Sequence, residues 1–197
     1  MDGGNEKART GALIPVQALE RIRVSDFIQE RFIAMHEAKV RQFMPTLLWM
    51  KDSDGRPVAA CGLRGADNGP LFLEHYLGES VEQRLSALIG VSIPRAAIVE
   101  VGNLAIAYPG SARGLIAALT AFLTDSDFDW VVFTGVPALR NAFARSGIVL
   151  TPLGEALLEA LPVDQRTDWG RYYENGAQVC AVSIEAAAAA LRRTEAA

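Results

Sequence analysis

One stretch near the middle of the chain constrains its fold more than any other. It contains two apolar segments rich in β-branched residues, 98–106 and 130–134, which predict buried strands. Residues 114–123 between them predict an apolar helix. Two successive strands joined by a helix pair in parallel within one sheet. The order strand, helix, strand therefore predicts an α/β fold.

The flanking segments extend this sheet and cover it. Residues 46–50 and 57–63 predict a hairpin, because Asp54 and Gly55 supply the backbone angles of a tight turn. Helical spacing begins at Ser25. Further helices are predicted at residues 80–88, at 138–145 and from 185 onward, and an aromatic-apolar strand at 71–76. The whole pattern predicts a mixed central sheet with helices on both faces.

The sequence predicts a single domain. Its 197 residues contain no internal repeat and no linker rich enough to divide them, and this length suits one domain. We expect a flexible leader at residues 1–24, one domain at 25–184, and a C-terminal helix and tail at 185–197.

Composition and charge argue against several classes of protein. The formal net charge is −4 and there is no basic cluster, which disfavours nucleic-acid binding. No apolar run approaches the ~20 residues of a membrane span, and residues 1–7 lack the apolar centre of a secretory signal. Cys61 and Cys180 do not have a metal-ligating spacing. We expect reduced thiols, no metal and a cytoplasmic protein.

Two glycines predict a cleft between the parallel strands. Gly102 lies inside the first strand, where an interior glycine is typical of a β-bulge. A bulge there would bring Glu100 and Asn103 toward one face, whereas regular alternation would place them on opposite faces. Gly135 and Pro137 end the next strand early. We therefore expect the strands to splay apart after the Glu100-Gly102 strand.

The loop before the central helix is a candidate phosphate-binding site. Residues 110–114 include two glycines at the start of a helix, where exposed backbone N–H groups and the helix dipole attract anions. The alternative is an ordinary turn between a strand and a helix, since many such turns contain two glycines.

The order of elements, together with LRNAFARSGI at residues 139–148, resembles the cofactor half of the GNAT acyltransferases. The loop can match the phosphate motif of that family at Ala112 and Gly114 but has Pro109 where the motif has Arg or Gln. The resemblance implies a donor that is acyl-coenzyme A or the phosphopantetheine of an acyl carrier protein. The residues implied to hold it are Leu104, Ile106, Ser111, Ala112, Arg113, Gly114 and Asn141.

A closer resemblance, to the thermostable hemolysin family, covers nearly the whole chain. It rests on FMPTLL at 43–48, CGLR at 61–64, LFLEHYL at 71–77, VEVGNLA at 99–105, WVVFTG at 130–135 and WGRYY at 169–173. The strand with Glu100 is also similar to that of the acyl-homoserine-lactone synthases, which take acyl groups mainly from acyl carrier protein. Those synthases have an arginine at the position of Asn103, so the resemblance does not imply lactone formation.

Glu100 is the leading catalytic candidate. A carboxylate among valine and isoleucine is costly to bury without partners, and burial raises its pKa toward the range of a general base. The alternative is a structural ion pair with Arg64 or Arg95. Asn103 is the second candidate, because its amide can orient a substrate or donate to an oxyanion. Alternatively, it only fixes the bulge.

Other side chains are candidates for substrate contact. The polar ones are Arg64, Glu74, His75 and Thr134. Trp169, Tyr172 and Tyr173 either line an acyl tunnel or pack in the core, and the sequence leaves both open. No Ser-His-Asp or Cys-His pairing stands out, which disfavours a covalent acyl-enzyme.

The sequence therefore predicts an N-acyltransferase. It would move an acyl group from a thioester, on acyl carrier protein or coenzyme A, to an amine such as an amino acid or a related small molecule. Glu100 would take the proton of the amine. Two alternatives stay open: a membrane-active hemolysin-type protein, and a non-catalytic module that binds an acyl carrier protein.

Overall fold

The computed structural model describes residues 12–195. Its strands are β1 (Ile14–Pro15), β2 (Thr46–Lys51), β3 (Pro57–Gly65), β4 (Ile98–Ile106), β5 (Trp130–Gly135), β6 (Thr151–Glu155) and β7 (Gln178–Ser183). Its helices are α1 (Arg21–His36), α2 (Glu74–Leu77), α3 (Val81–Ile89), α4 (Ser111–Thr124), α5 (Pro137–Arg145), α6 (Val163–Arg166) and α7 (Ile184–Glu195).

The strands form one mixed sheet in the order β1-β2-β3-β4-β5-β7-β6. β4 and β5 pair in parallel, whereas the other neighbouring strands within residues 12–195 pair antiparallel. The connection between the two parallel strands contains α4. The predicted mixed sheet and the predicted hairpin of β2 and β3 are confirmed.

Helices cover both faces of the sheet, as predicted. α4, α5 and α7 pack on one face over a core that contains Val101, Leu119 and Phe133. α1, α2 and α3 pack on the other face. Cys61 and Cys180 are buried and free of any disulfide. Within residues 12–195, no helix is long and apolar enough to cross a bilayer.

The parallel strands separate after three residue pairs. The last pair is Glu100 with Val132, after Ile98 with Trp130 and Val99 with Val131. Beyond it β4 stays paired with β3 and β5 with β7. The predicted splay of the two strands is therefore confirmed, and it opens a gap in the sheet beside Glu100.

The segment before the first predicted helix has defined structure in its described part. β1 pairs with β2, and the Val16 N–H donates to the Leu47 carbonyl at 2.9 Å. α1 begins at Arg21, four residues before the predicted start, and the Arg21 guanidinium donates to the Met44 and Pro45 carbonyls. Residues 1–11 of the predicted leader lie outside the described residues. The division into leader, domain and tail stays a prediction.

The strand predicted at residues 71–76 is wrong, because this segment forms a turn followed by α2. The Glu74 carboxylate accepts the N–H groups of Leu71 at 2.8 Å and Val81 at 2.9 Å. Such local bonds from a side chain to the backbone compete with strand pairing. Apolar and aromatic content alone does not distinguish a short strand from a buried turn.

α4 also differs from its predicted bounds. It begins at Ser111, three residues before the predicted start, so residues 111–114 form its first turn. The Ser111 N–H donates to the Tyr108 carbonyl at 3.0 Å, which tightens the turn ahead of the helix. Of the predicted phosphate loop at residues 110–114, only Gly110 therefore precedes the helix, and the connection from β4 to α4 consists of residues 107–110.

Candidate functional site

A cavity of about 920 Å³ passes through the sheet at the gap between β4 and β5. Its volume is typical of a small-molecule site. Strand side chains alternate between the two faces of a sheet, and side chains from both faces line this cavity. We call the part on the α4 face the apolar chamber and the part on the α1 face the aromatic chamber.

The apolar chamber lies between the sheet and α4. Leu115, Ile116 and Leu119 line it from one face of the helix, beginning one turn after Ala112. From Ala112 to Leu119 the helix rises about 10 Å. Leu123, one turn further, is buried and lies outside the cavity, so Leu119 marks the inner end. The opposite wall consists of Val101, Leu104, Ile106, Val131, Phe133 and Phe143.

The aromatic chamber lies on the other side of the gap. Its walls are the aromatic side chains Phe32, His36, Phe72, Tyr76, Trp169, Tyr172 and Tyr173. These rings pack on one another at centroid distances of 5.0 to 6.2 Å. The Tyr76 and Tyr173 hydroxyls share a hydrogen bond, and the Tyr172 hydroxyl donates to the Thr134 carbonyl at 3.0 Å. Burial lowers the pKa of His36, which favours a neutral imidazole at pH 7.

Glu100 lies where the two chambers meet, and only 4% of its surface is exposed. Its Oε2 accepts the N–H of Phe72 at 3.2 Å, and its Oε1 accepts the N–H of Leu73 at 3.1 Å. Burial raises the pKa of the Glu100 carboxyl above its ordinary range, while these two bonds and the charge of Arg64 oppose the rise. The result is a fixed carboxylate with increased basicity, which suits a general base.

Neither arginine predicted as an alternative partner pairs with Glu100. Arg64 lies directly opposite Glu100 on β3, but its guanidinium donates to the Pro70 carbonyl at 3.3 Å. Arg95 instead binds Glu74 and Glu82, each at 2.6 Å. Glu100 therefore makes no salt bridge with the residues that the structure describes.

Asn103 occupies a β-bulge one residue after the predicted position. Gly62 pairs with Gly102 and Ala60 with Ala105, so Asn103 and Leu104 together oppose a single residue of β3. Asn103 has a left-handed backbone with φ of 51°. Its side chain accepts the Met44 N–H at 2.8 Å and donates to the Gln42 carbonyl at 3.3 Å. The bulge places Asn103 on the same side as Glu100, as predicted, but its amide is engaged by residues 42–44.

Gly102 gives Met44 room to close the cleft. A Cβ atom at Gly102 would lie 2.5 Å from the Met44 Cε, and one at Gly62 would lie 2.4 Å from the Met44 Cβ. Neither glycine has a positive φ. Close packing therefore requires glycine at position 62, where a larger residue would displace the segment that Asn103 holds. A side chain at Gly102 would meet only the end of the flexible Met44 side chain, which can rotate away.

The outer wall of the aromatic chamber is fixed by an ion pair. Asp168 is buried and accepts hydrogen bonds from Arg41 at 2.5 and 2.7 Å. Its carbonyl accepts the Lys39 N–H at 2.6 Å. Asp168 thus joins residues 39–41, after α1, to the turn that carries Trp169. The hydrogen bond from Arg41 holds the pKa of the Asp168 carboxyl below its ordinary value.

The structure brings together some of the residues predicted to bind the donor. Leu104, Ile106 and Ala112 line the cavity. Ser111, Arg113, Gly114 and Asn141 do not line it, and Arg113 and Asn141 are exposed at the surface. The Ser111 hydroxyl is buried without a hydrogen-bond partner among the described residues.

Most of the side chains predicted to contact the substrate line the cavity, but one does not. Arg64, His75 and Thr134 line the cavity, whereas Glu74 lies outside it with both carboxylate oxygens occupied. Trp169, Tyr172 and Tyr173 line the aromatic chamber and also pack against the core. Within residues 12–195 no group of three or more His, Cys, Asp or Glu side chains could hold a metal ion.

Sequence reasoning missed most of the cavity wall. Phe32 and His36 come from α1, and Phe72 and Tyr76 from the segment mistaken for a strand. Leu119 has the helical spacing of a core residue, and this spacing is the same whether a helix faces a core or a cavity. The only available signal was the density of aromatic residues at 72–76 and 169–173.

Solved structures of acyltransferases have the same fold. The acyl-homoserine lactone synthase LasI is 12% identical with a TM-score of 0.58, covering 92% of this chain and 95% of its own. FeeM, an N-acyl amino acid synthase from uncultured soil microbes, is 14% identical with a TM-score of 0.58, covering 88% and 92%. Spermidine N-acetyltransferase from Vibrio cholerae, in complex with coenzyme A and spermine, is 10% identical with a TM-score of 0.54, covering 89% and 96%.

These likenesses establish a GNAT-like fold. No curated protein sequence matches the chain significantly. The profile of one protein family, described as Thermostable hemolysin, matches residues 14–188. This match runs from β1 into the first turn of α7 and includes every residue named above as lining the cavity. The chain therefore belongs to the thermostable hemolysin family.

Proposed function

We propose that this protein transfers an acyl group from a thioester to an amine. One observation carries the proposal: a single cavity joins an apolar chamber to an aromatic chamber, and the buried carboxylate of Glu100 lies at their junction. The acyl chain enters the apolar chamber and the amine enters the aromatic chamber. The thioester carbonyl then lies in the gap between β4 and β5.

The chemical step needs one base and one oxyanion donor. The amine nitrogen attacks the carbonyl carbon, and Glu100 takes the proton that the nitrogen loses. As the tetrahedral intermediate collapses, the C–S bond breaks and the sulfur takes that proton from Glu100, so the donor leaves as a thiol and the Glu100 carboxylate is regenerated. A bulge leaves its extra residue out of the ladder, and a backbone N–H freed at residues 103–104 stabilises the oxyanion. Asn103 acts by holding the bulge and residues 42–44 in place.

An amino acid is the acceptor that the site favours. Arg64 lies opposite Glu100 and carries no carboxylate partner among the described residues, so it is placed to bind an acceptor carboxylate. Glu100 would then face the amine of the same molecule. The rings of Phe72, Trp169 and Tyr172 favour an acceptor with an apolar or aromatic side chain.

Acyl carrier protein is the donor that we favour over free coenzyme A. The acyl arm would pass along Leu104, Ile106 and Ala112 into the apolar chamber. The start of α4 presents few groups to a phosphate, because the Ser111 and Ala112 N–H groups already donate to the Tyr108 and Pro109 carbonyls and Arg113 does not line the cavity. A carrier protein supplies further contacts of its own and depends less on that loop.

The direct test is intact-mass spectrometry of acyl donors incubated with the protein. A panel of acyl carrier proteins and acyl-coenzyme A thioesters is compared with and without mixed amino acids and other amines. Amine-dependent loss of acyl groups from one donor is the expected result. A parallel leakage assay on liposomes covers the membrane-active alternative. Leakage without acyl loss from any donor would overturn the proposal.

A further inference from the structure

The turn that donates to Glu100 is held from its other side by Glu74. Phe72 and Leu73 donate their N–H groups to Glu100, and the residue before them, Leu71, donates to Glu74 Oε2 at 2.8 Å. Glu74 Oε1 accepts the Val81 N–H at 2.9 Å, at the start of α3. Four backbone N–H groups in this region thus donate hydrogen bonds to two carboxylates, those of Glu74 and Glu100.

Glu74 is fixed in turn by Arg95. The Arg95 guanidinium contacts Glu74 at 2.6 and 3.1 Å and Glu82 at 2.6 Å. It also donates to the Ala66 carbonyl at 2.6 Å and the Gly69 carbonyl at 2.8 Å. Arg95 therefore joins the end of β3, the turn at 71–73 and the start of α3 through charge-assisted bonds, which are the stronger class of hydrogen bond.

We propose that Glu74 and Arg95 are positioning residues, which keep the Phe72 and Leu73 N–H groups on the Glu100 carboxylate. Neither residue lines the cavity, so neither touches a substrate. Glu74 and Arg95 affect the reaction only by positioning Glu100, so their role in catalysis rests on the proposed function. The contacts by which Glu74 and Arg95 hold the turn at residues 71–73 do not depend on any enzymatic activity.

The charged and titratable groups that face Glu100 determine whether its pKa rises or falls when Glu74 is replaced. Arg64 on β3 favours the ionised form of Glu100, whereas the charge of Glu74 on α2 disfavours it. Tyr76 on α2 stays neutral while Glu100 titrates, because burial raises the pKa of the Tyr76 hydroxyl. Replacing Glu74 by an uncharged residue has two opposing effects. Losing a nearby negative charge lowers the pKa of Glu100, whereas losing the two N–H donors raises it. The two N–H groups contact the Glu100 carboxylate directly, whereas the charge of Glu74 is balanced by Arg95, so we expect a released turn to give a net rise in the pKa of Glu100.

The test compares Glu74→Gln with Glu82→Gln. Both remove a carboxylate that binds Arg95, but Glu82 makes no bond to the turn at residues 71–73. Side-chain ¹³C resonances of labelled glutamate are titrated without substrate, and Glu100 is assigned from the resonance missing in Glu100→Gln. Hydrogen exchange of the Phe72 and Leu73 amides is measured on the same proteins. A far-UV circular dichroism spectrum verifies that each variant is folded.

We expect Glu74→Gln to raise the titration midpoint of Glu100 and to speed exchange of both amides about tenfold or more. Glu82→Gln should change neither. A lowered midpoint with unchanged exchange would show that Glu74 acts by charge alone and would overturn the proposal. If Glu74→Gln does not fold, Arg95→Lys is decisive, because lysine cannot reproduce the fork of donors and must give the same rise. An unchanged titration midpoint of Glu100 in Arg95→Lys would also overturn the proposal.

These measurements separate the two proposals. Failure of acyl transfer with every donor and amine leaves the Glu100 titration and the amide exchange interpretable. Conversely, transfer that persists in Glu74→Gln with an unchanged pH profile contradicts the positioning role and leaves the transferase proposal intact.

Discussion

Glu100 and Val132 are the last residues of β4 and β5 that pair with each other. Beyond this pair β4 stays paired only with β3 and β5 only with β7, so the sheet opens between them. The Glu100 carboxylate thus lies at the apex of the gap, where a thioester carbonyl between the chambers would be within its reach. The bulge at Asn103 follows three residues later, so the base and the proposed oxyanion donor come from one strand.

Leu119 should limit the length of the acyl chain. Leu119→Trp fills the inner end of the apolar chamber, so long-chain donors lose their innermost contacts while short ones do not. Since each buried methylene contributes about 0.8 kcal/mol, exclusion of two carbons should lower kcat/KM for long-chain donors about tenfold. Rates with a series of acyl donors from four to sixteen carbons (~1.3 Å per carbon in an extended chain) measure the shift.

The matched control is Leu119→Met, which conserves volume. The acyl-chain length that this variant prefers should be the same as for the unmodified protein. An optimum that is also unchanged in Leu119→Trp would show that the acyl chain does not enter the apolar chamber.

Arg64 should distinguish amino acids from other amines. Arg64→Met removes the cation opposite Glu100, and one hydrogen bond to a charged group contributes about 1.5–3 kcal/mol. KM for an amino acid acceptor should therefore rise about tenfold to a hundredfold, while KM for the corresponding decarboxylated amine stays the same. Initial rates are compared well above the pKa of Glu100, because losing Arg64 also raises that pKa.

Equal changes in KM for the two acceptors would contradict carboxylate binding by Arg64. Arg64→Lys, which keeps the charge, should lie between the unmodified protein and Arg64→Met.

Asp168 should contribute stability that depends on pH. Arg41 lowers the pKa of the Asp168 carboxyl in the folded state, so this stability is present above the ordinary value of 3.8 and lost as pH falls through the lowered folded value. Asp168→Asn should lower Tm by a few degrees at pH 7, and the difference should shrink in acid. Calorimetry between pH 7 and about pH 3 measures it.

Asp54→Asn serves as a control for Asp168→Asn. Asp54 lies 3.6 Å from Arg56, and both side chains are largely exposed. Exposed pairs contribute little to stability, so this variant should match the unmodified protein at every pH. A Tm difference for Asp168→Asn that grew in acid would contradict the assigned pKa direction.

The sheet was predictable because its strands have strong local signals. β4 and β5 contain β-branched runs, the hairpin of β2 and β3 has apolar strands on either side of Asp54 and Gly55, and Gly102 indicated the irregularity near Glu100. Family resemblance added the position of the carboxylate on a known fold. The gap was predicted from Gly135 and Pro137 as an early end of β5, but β5 separates from β4 after Val132 and stays paired with β7 up to Gly135. The prediction of a gap is confirmed, whereas its assumed cause is wrong.

The walls of the cavity could not be predicted in the same way. The turn at residues 71–73 depends on Glu74 and Arg95, which are 21 residues apart and become neighbours only after β3 and β4 pair. The bond between Asp168 and Arg41 joins residues 127 positions apart. Contacts of this kind leave no periodic pattern, so Phe72 and Trp169 could be assigned neither to a wall nor to the core.

Glu100 provides the most direct test of the whole account. Amide formation from one acyl donor and one amino acid is measured from pH 5 to 9 for the unmodified protein and for Glu100→Gln, with donor binding measured separately by calorimetry (range chosen about the titration of a carboxyl with a raised pKa). Because the ionised carboxylate is the base, the rate of the unmodified protein should rise with pH through the raised pKa of Glu100 and then level off. Glu100→Gln should bind the donor normally but lose about a hundredfold or more in rate at every pH. Equal rates for the two proteins would remove Glu100 from the mechanism and contradict the assignment of the junction as the catalytic centre.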